Sequence, residues 1–150
     1  MTIKELRRKL MLLWTIFLIE IPALALLAYL MNNIDGFRFI PFELDDPMVR
    51  IYILIAFAVT SIPMGYFMAM KKIRSLKNEN EPLAKAMKYK GIYSIRIAVV
   101  NGNAFFCIFT YYGLDMPVIL AGIPVYLLIL LFDKPAPEAT LEQLLNEKKE

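Results

Sequence analysis

The chain has 150 residues, of which 59% are hydrophobic and 21% are charged, and its formal net charge is +3. Soluble domains are about 45–50% apolar, so this excess indicates a lipid environment rather than a water-soluble core. The small net charge gives no support for a nucleic-acid partner. A single cysteine, Cys107, excludes an internal disulfide, and histidine, the commonest metal ligand and general base, is absent. We therefore expect neither a cofactor nor enzymatic activity.

Four apolar windows follow one another along the chain, and each is long enough for a helix that crosses a membrane. A hydrocarbon core about 30 Å thick needs about 20 apolar helical residues, and lipid offers no water to non-helical backbone. The windows cover about residues 10–31, 48–70, 91–112 and 114–132. We predict an all-α integral membrane protein with a four-helix transmembrane domain over residues 1–132 and a tail over 133–150.

The charges between the windows predict the orientation of these helices. Segment 71–90 contains seven basic residues, and four more precede the first window, whereas segment 32–47 has four acidic residues and only Arg38. Short loops rich in Lys and Arg stay in the cytoplasm. Both termini are therefore predicted to be cytoplasmic. The short loops favour a plasma, or inner, membrane.

The first window has a second interpretation, which is a cleaved signal peptide. Basic residues 4–9, the apolar run 10–19 and the small residues around Ala23 follow the order of such a peptide. The apolar run continues beyond Ala25 to Met31. This continuation favours a retained membrane helix.

The tail is predicted to form a short amphipathic helix in the cytoplasm. Pro135 and Pro137 end the fourth apolar window, and Thr140 and Gln143 have the spacing of a capping box. An apolar stripe follows, formed by Leu141, Leu144 and Leu145. Such a short helix is marginal in water. It is expected to dock on the protein, on the membrane surface or on a partner.

Every predicted span carries polar or helix-loosening residues near its middle. They are Glu20 and Pro22, then Thr60, Ser61 and Pro63, then Asn101, Gly102 and Asn103, and finally Gly122 and Pro124. A charge in mid-membrane costs at least about 2.5–3.5 kcal/mol, so Glu20 is a candidate functional group. Asn-Gly is a turn dipeptide, which predicts a break in the third helix. The alternative is that these residues serve only close helix packing.

Arg96 lies inside the third span, near its predicted cytoplasmic end. Its side chain has two candidate positions. It can extend to the lipid headgroups, or it can form an ion pair with Glu20, from which it differs in depth by about 7 Å at 1.5 Å per residue. Such a pair would lower the cost of placing both charges in the membrane.

These features favour a non-catalytic subunit or scaffold of a membrane assembly, which self-associates or binds another membrane protein. Glu20, Arg96, Asn101 and Asn103 would then join helices by hydrogen bonds. The alternative is a homo-oligomeric small transporter or channel that uses Glu20 and the Asn-Gly-Asn break. Anionic lipid at the basic segment 71–90 is a further candidate partner, although orientation alone explains these charges.

The layout resembles that of the small multidrug-resistance exporters, which have four spans and a carboxylate in the first. Glu20 carries this resemblance. The chain departs from that pattern in its aromatic residues, since Trp14 is its only tryptophan, and in Pro22 and its basic loop. We do not place the chain in that family.

Overall fold

The computed structural model describes residues 2–34, 46–79, 81–114 and 116–146, and every regular element in these ranges is a helix. The helices are α1 (Ile3–Asn32), α2 (Pro47–Ser75), a 3₁₀ turn (Leu76–Asn78), α3 (Pro82–Leu114), a second 3₁₀ segment (Pro117–Ala121), α4 (Gly122–Phe132) and α5 (Glu138–Asn146). Three of them, α1, α2 and α3, are long and apolar enough to cross a membrane. The all-helical prediction is thus confirmed, with three long apolar helices and a shorter one.

The fourth apolar helix is shorter than predicted, because it begins at Pro117 rather than near Leu114. Leu114 is the last residue of α3, and Met116 has an extended backbone that precedes Pro117. The five residues of 3₁₀ helix rise more steeply than α-helix. Together with α4 they cover about 26 Å, close to a hydrocarbon thickness of about 30 Å.

The predicted break at Asn101, Gly102 and Asn103 is absent, since α3 is one continuous α-helix through these residues. A glycine in a helix interior costs only about 1 kcal/mol relative to alanine, which is less than the cost of unpaired backbone in an apolar setting. Asn103 also donates from Nδ2 to the carbonyl oxygen of Val99, at 2.8 Å. The asparagine side chain thus supports the helix instead of ending it.

The prolines likewise leave the helices unbroken. α1 continues through Pro22 and α2 through Pro63. Pro124 lies in the first turn of α4, where a backbone N–H has no partner within its own α-helix. Gly122, the other residue predicted to loosen the fourth span, is where the 3₁₀ segment ends and the α-helix begins.

α3 is the central helix of the bundle. It packs against α1, α2 and α4, and α1 also packs against α4. α1 and α2 lie on different sides of α3, and no extended contact joins them in the described ranges. Large apolar side chains stay exposed on the outer faces of α1 and α2, among them Ile19, Leu26, Tyr52, Met64 and Phe67. Contiguous apolar surface of this kind is typical of contact with lipid or protein.

α5 docks on the beginnings of α1 and α3, so the tail helix packs on the protein itself. Leu141 and Leu145 are buried in the same apolar cluster as Leu6 and Leu10. We refer to this end of the bundle, where α1 and α3 begin and α2 and α4 finish, as the α5 end.

Two polar contacts support this docking of α5. Arg7 pairs with Glu138 at 3.3 Å, and the Lys85 ammonium donates to the carbonyl oxygen of Leu145 at 3.3 Å.

The start of α5 differs from the predicted one. α5 begins at Glu138, so Thr140 lies inside the helix and does not cap it. The first turn closes instead on the carbonyl oxygen of Pro137, which accepts from the Leu141 amide at 3.1 Å.

Replacing Leu141 with alanine is expected to release α5. The side chain is fully buried, and a Leu→Ala change in a core costs about 2–5 kcal/mol, more than a nine-residue helix contributes alone. Hydrogen exchange over residues 138–146 should become fast in Leu141→Ala and stay slow in Gln143→Ala, which changes an exposed side chain. Equal exchange in the two variants would show that α5 is held by other contacts.

Candidate functional site

The six predicted polar site residues do not converge on one site; the structure divides them among several positions. Thr60 is exposed, and its hydroxyl donates to the carbonyl oxygen of Ala56 in its own helix at 2.7 Å. It therefore faces away from the bundle. The other residues form a Ser61–Asn103 contact, an ion pair of Arg96 with a residue that we did not predict, and a groove that contains Glu20 and Asn101.

Ser61 and Asn103 join the middle of α2 to the middle of α3. Nδ2 of Asn103 donates to the Ser61 hydroxyl at 2.9 Å, and that hydroxyl lies 3.2 Å from Oδ1 of Asn103. Close by, a Cβ on Gly65 would lie only 3.1 Å from the methyl groups of Val99. A small residue on α2 and a polar pair thus bring the two helices together, which is the usual role of such residues in membrane helices.

Arg96 forms an ion pair with Asp133 rather than with Glu20. Asp133 follows directly on α4 and is only 4% exposed. The hydroxyl of Tyr66 also donates to this carboxylate, and the Arg96 guanidinium lies over the Tyr66 ring, 4.7 Å from its centroid. The hydroxyl of Tyr93 donates to the Asp133 carbonyl oxygen at 2.7 Å. We call these four residues, Tyr66, Tyr93, Arg96 and Asp133, the polar cluster.

The polar cluster connects three helices at the α5 end. It contains residues of α2 and α3 together with the residue that follows α4. The last carbonyl groups of a helix lack partners within it, and here Tyr93 satisfies one of them. The Trp14 indole donates to another, the Leu130 carbonyl oxygen, at 2.7 Å and so adds α1 to the same junction. Residues of all four apolar helices therefore meet around the end of α4.

Sequence reasoning missed Asp133, Tyr66 and Tyr93. Asp133 is the first residue of the predicted tail, and tyrosines are common at a membrane interface, so none of the three stands out in the sequence. One signal was present in the sequence: an acidic residue directly after an apolar window, with an arginine inside a neighbouring window. Such a pair of charges predicts an interhelical ion pair.

A groove runs between α1 and α3, and helical spacing places Glu20 and Asn101 along it, between two sections whose lining residues do not include them. Away from the α5 end, this groove is lined by apolar residues and Tyr112: Leu24, Leu27, Ala28, Met31, Phe105, Ile108, Phe109 and Tyr112. At the α5 end, Lys9 faces the α3 residues Leu83, Met87, Lys90, Gly91 and Ser94. Glu20 on α1 and Asn101 on α3 lie midway between these two sections. Helical spacing places each of them on the same face as its neighbours in the groove.

Asn101 has an unmet hydrogen-bonding requirement. Asn101 is buried, with a relative exposure of only 7%, yet its Oδ1 has no hydrogen-bond partner among the described residues. Glu20 is half-buried. Beside Asn101, Ala98 and Gly102 are exposed on the side of α3 between α1 and α2, and a Cβ on Gly102 would meet no atom within 4 Å. We call this surface, Ala98, Asn101 and Gly102, the open face of α3.

Cys107 and Gly122 hold α4 close to α3. The Cys107 thiol is buried and lies 3.0 Å from the Ile119 carbonyl oxygen, to which it donates. A Cβ on Gly122 would approach Sγ of Cys107 to 3.2 Å. Both residues therefore serve packing. In the described part of the chain, no group of three or more His, Cys, Asp and Glu residues could hold a metal ion.

Comparison with known proteins gave no match. No model of a protein family fits the chain, and no curated protein and no solved structure is similar to it. The functional argument therefore depends on the geometry of the described residues.

Removing one charge of the Arg96–Asp133 pair is expected to destabilise the bundle more than removing both. Breaking a buried ion pair costs about 3–5 kcal/mol, because it leaves a buried charge unpaired. Asp133→Leu should therefore lower the free energy of unfolding by about this amount, and the double variant with Arg96→Met should recover part of the loss. The measurement is denaturant-induced unfolding in detergent micelles.

Glu138→Gln is the control for the loss of an ion pair. It removes the pair between Arg7 and Glu138, whose side chains are 40% and 47% exposed, so its cost should stay below about 1 kcal/mol. A double variant that is no more stable than Asp133→Leu would contradict a role for the unpaired Arg96 charge.

Proposed function

We propose that the chain is a non-catalytic subunit or scaffold of a membrane assembly, whose open face of α3 receives a transmembrane helix of a partner subunit. The observation that carries this proposal is the pair of exposed small residues, Ala98 and Gly102, beside Asn101, whose buried Oδ1 has no hydrogen-bond partner among the described residues. The proposal includes the orientation inferred from the charges. The bundle crosses the plasma, or inner, membrane, and both termini are cytoplasmic.

The distribution of charge supports this orientation. Basic residues gather at the α5 end, where Lys9, Lys72 and Lys90 lie close to the ends of the apolar windows within α1, α2 and α3. At the other end, Asp46 caps the beginning of α2 and accepts from the Met48 amide at 2.8 Å. Cytoplasmic loops carry the excess of Lys and Arg. The α5 end is therefore the cytoplasmic one in this proposal.

The chain's own atoms cover Oδ1 of Asn101 in the structure. On docking, the Asn101 side chain would turn toward the partner helix, which would then satisfy its amide oxygen. A buried polar group without a hydrogen bond costs about 1–3 kcal/mol, and lipid chains supply no donor. Serine, threonine, asparagine or glutamine on a neighbouring helix does supply one. Ala98 and Gly102 are small enough for the backbone of that helix to come close, as small residues do in membrane interfaces.

The paired state of the other polar residues supports a scaffold rather than a transport path. Ser61 contacts Asn103, and Arg96 contacts Asp133, so these four residues connect helices of the same chain. In the outer section of the groove, beyond Glu20, Tyr112 is the only residue with a polar side chain. A path for an ion or a polar substrate needs polar groups along its length.

The second candidate is a homo-oligomeric small transporter or channel, which the position of Glu20 favours. Helical spacing places its half-buried carboxyl group along the groove, level with Asn101. A second copy of the chain would close this groove and place Glu20 between subunits, where it would bind a proton or a cation.

Photo-crosslinking from the open face tests the proposal. A photoreactive phenylalanine analogue at position 98 should give one discrete adduct with another polypeptide in the native membrane. The same analogue at position 23, which is exposed on α1, should give no protein adduct. Adducts from neither position, or equally from both, would refute docking at the open face. An adduct between two copies would support the homo-oligomer instead.

Enlarging Gly102 should weaken that adduct without disturbing the fold. Gly102→Leu, in the chain with the analogue at position 98, should lower the crosslinked fraction roughly tenfold, as a loss of about 1.4 kcal/mol of helix packing does. Ala23→Leu adds a side chain of the same size elsewhere and should have no effect. The unfolding midpoint of the isolated chain should not fall in Gly102→Leu, since open space surrounds Gly102 and leucine is a better helix former than glycine.

A further inference from the structure

The cytoplasmic end of the groove between α1 and α3 forms a cleft of about 490 Å³ with lysines on both walls. Lys9 lies on α1 and Lys90 on α3, while Gly91 and Ser94 form the α3 surface beside them. The sequence pointed to the whole basic segment 71–90 as a candidate for anionic lipid. Within this segment, Lys90 is the residue that lines the cleft, and Lys9 joins it from a different helix.

Other lysines of the basic segment are engaged within the protein. The buried Lys85 donates to the carbonyl oxygen of Leu145, and Lys88 pairs with Glu79. Lys9 and Lys90 differ from them. Both are exposed, and neither side chain has a hydrogen bond or an ion pair with any residue that the structure describes. Two ammonium groups without a salt-bridge partner among the described residues therefore face one cleft.

The depth of these lysines matches that of lipid phosphates. Lys9 directly precedes the first apolar window and Lys90 directly precedes the third, so two separate windows place them at the same boundary of the hydrocarbon. Phosphate groups of the cytoplasmic leaflet lie at this boundary, and basic residues near it attract anionic lipids. The two ammonium groups are thus positioned to bind one headgroup from two sides.

The cleft also has space and an apolar wall. A Cβ on Gly91 would meet no atom within 4 Å, so this part of the cleft is open. The Ser94 hydroxyl donates to the Lys90 carbonyl oxygen at 2.9 Å, so its hydrogen atom is already engaged. Leu83 and Met87 provide low-dielectric surface, which strengthens attraction between the lysines and an anion.

We propose that Lys9 and Lys90 bind the phosphate of an anionic phospholipid of the cytoplasmic leaflet. The site lies nearer the cytoplasm than Asn101, so a lipid headgroup there leaves the open face of α3 free. It needs no partner subunit, and the purified chain alone is sufficient to test it. A result on this site therefore says nothing against docking at the open face.

Native mass spectrometry of the full chain in neutral detergent tests this site. With equal amounts of phosphatidylglycerol and phosphatidylcholine, the chain should retain one phosphatidylglycerol molecule in preference. Each lysine near an anionic surface strengthens binding about fivefold, so the double variant Lys9→Ala/Lys90→Ala should lose roughly 25-fold of this preference. Lys9→Arg/Lys90→Arg should keep it, which separates loss of charge from loss of fold.

Lys71→Ala/Lys72→Ala is the matched control, because it removes two exposed lysines from the last turns of α2 without touching the cleft. It should retain the preference. An equal loss in this control would show a general charge effect and would overturn the proposal. The proposal would also fail if the unmodified chain showed no preference, or if inorganic phosphate displaced the lipid at equal concentration, since the cleft would then select the free anion.

Discussion

The ion pair between Arg96 and Asp133 is the interaction on which the rest of the bundle depends. A single charge in an apolar setting is costly, so Arg96 requires a carboxylate nearby, and Asp133 at the end of α4 provides it. Tyr66 joins the pair from α2, and the Trp14 contact with Leu130 brings α1 to the same place. These contacts fix where each helix meets α3, and packing along the helices follows from that junction.

This arrangement uses most of the surface of α3 and leaves one side open. α4 closes against Cys107, and α2 closes against Val99 and Asn103, where a glycine and a serine permit close approach. Between α1 and α2 the central helix presents small residues, and beneath them the Asn101 amide oxygen has no hydrogen-bond partner in the described part of the chain. A buried polar group of this kind is rare in a finished interface. The proposed partner helix supplies what this side lacks, and the proposed lipid occupies only its cytoplasmic end.

Hydropathy was sufficient to predict the helices but not their mutual rotation. The windows of α1, α2 and α3 are long and apolar, and backbone hydrogen bonding leaves them little alternative. That constraint also explains why the turn preference of Asn101-Gly102 is overridden. The sequence shows that Arg96 is a charge inside an apolar window and therefore needs a partner. Which residue pairs with it depends on where α4 ends. The sequence pattern of α3 does not contain that information. Predicting that Glu20 and Asn101 lie at the same level likewise requires the register between α1 and α3, which neither apolar window specifies.

Glu20, which helical spacing places beside the open face of α3, gives the most direct test of the central claim, that a partner helix covers this face and the groove next to it. A hydrophobic carbodiimide modifies protonated carboxyl groups that it can reach from lipid, and mass spectrometry locates the product, with Glu20→Gln as the control. The account predicts that Glu20 reacts in the purified chain in micelles but is protected at the same pH in the native membrane. Equal labelling of Glu20 in both preparations would contradict it.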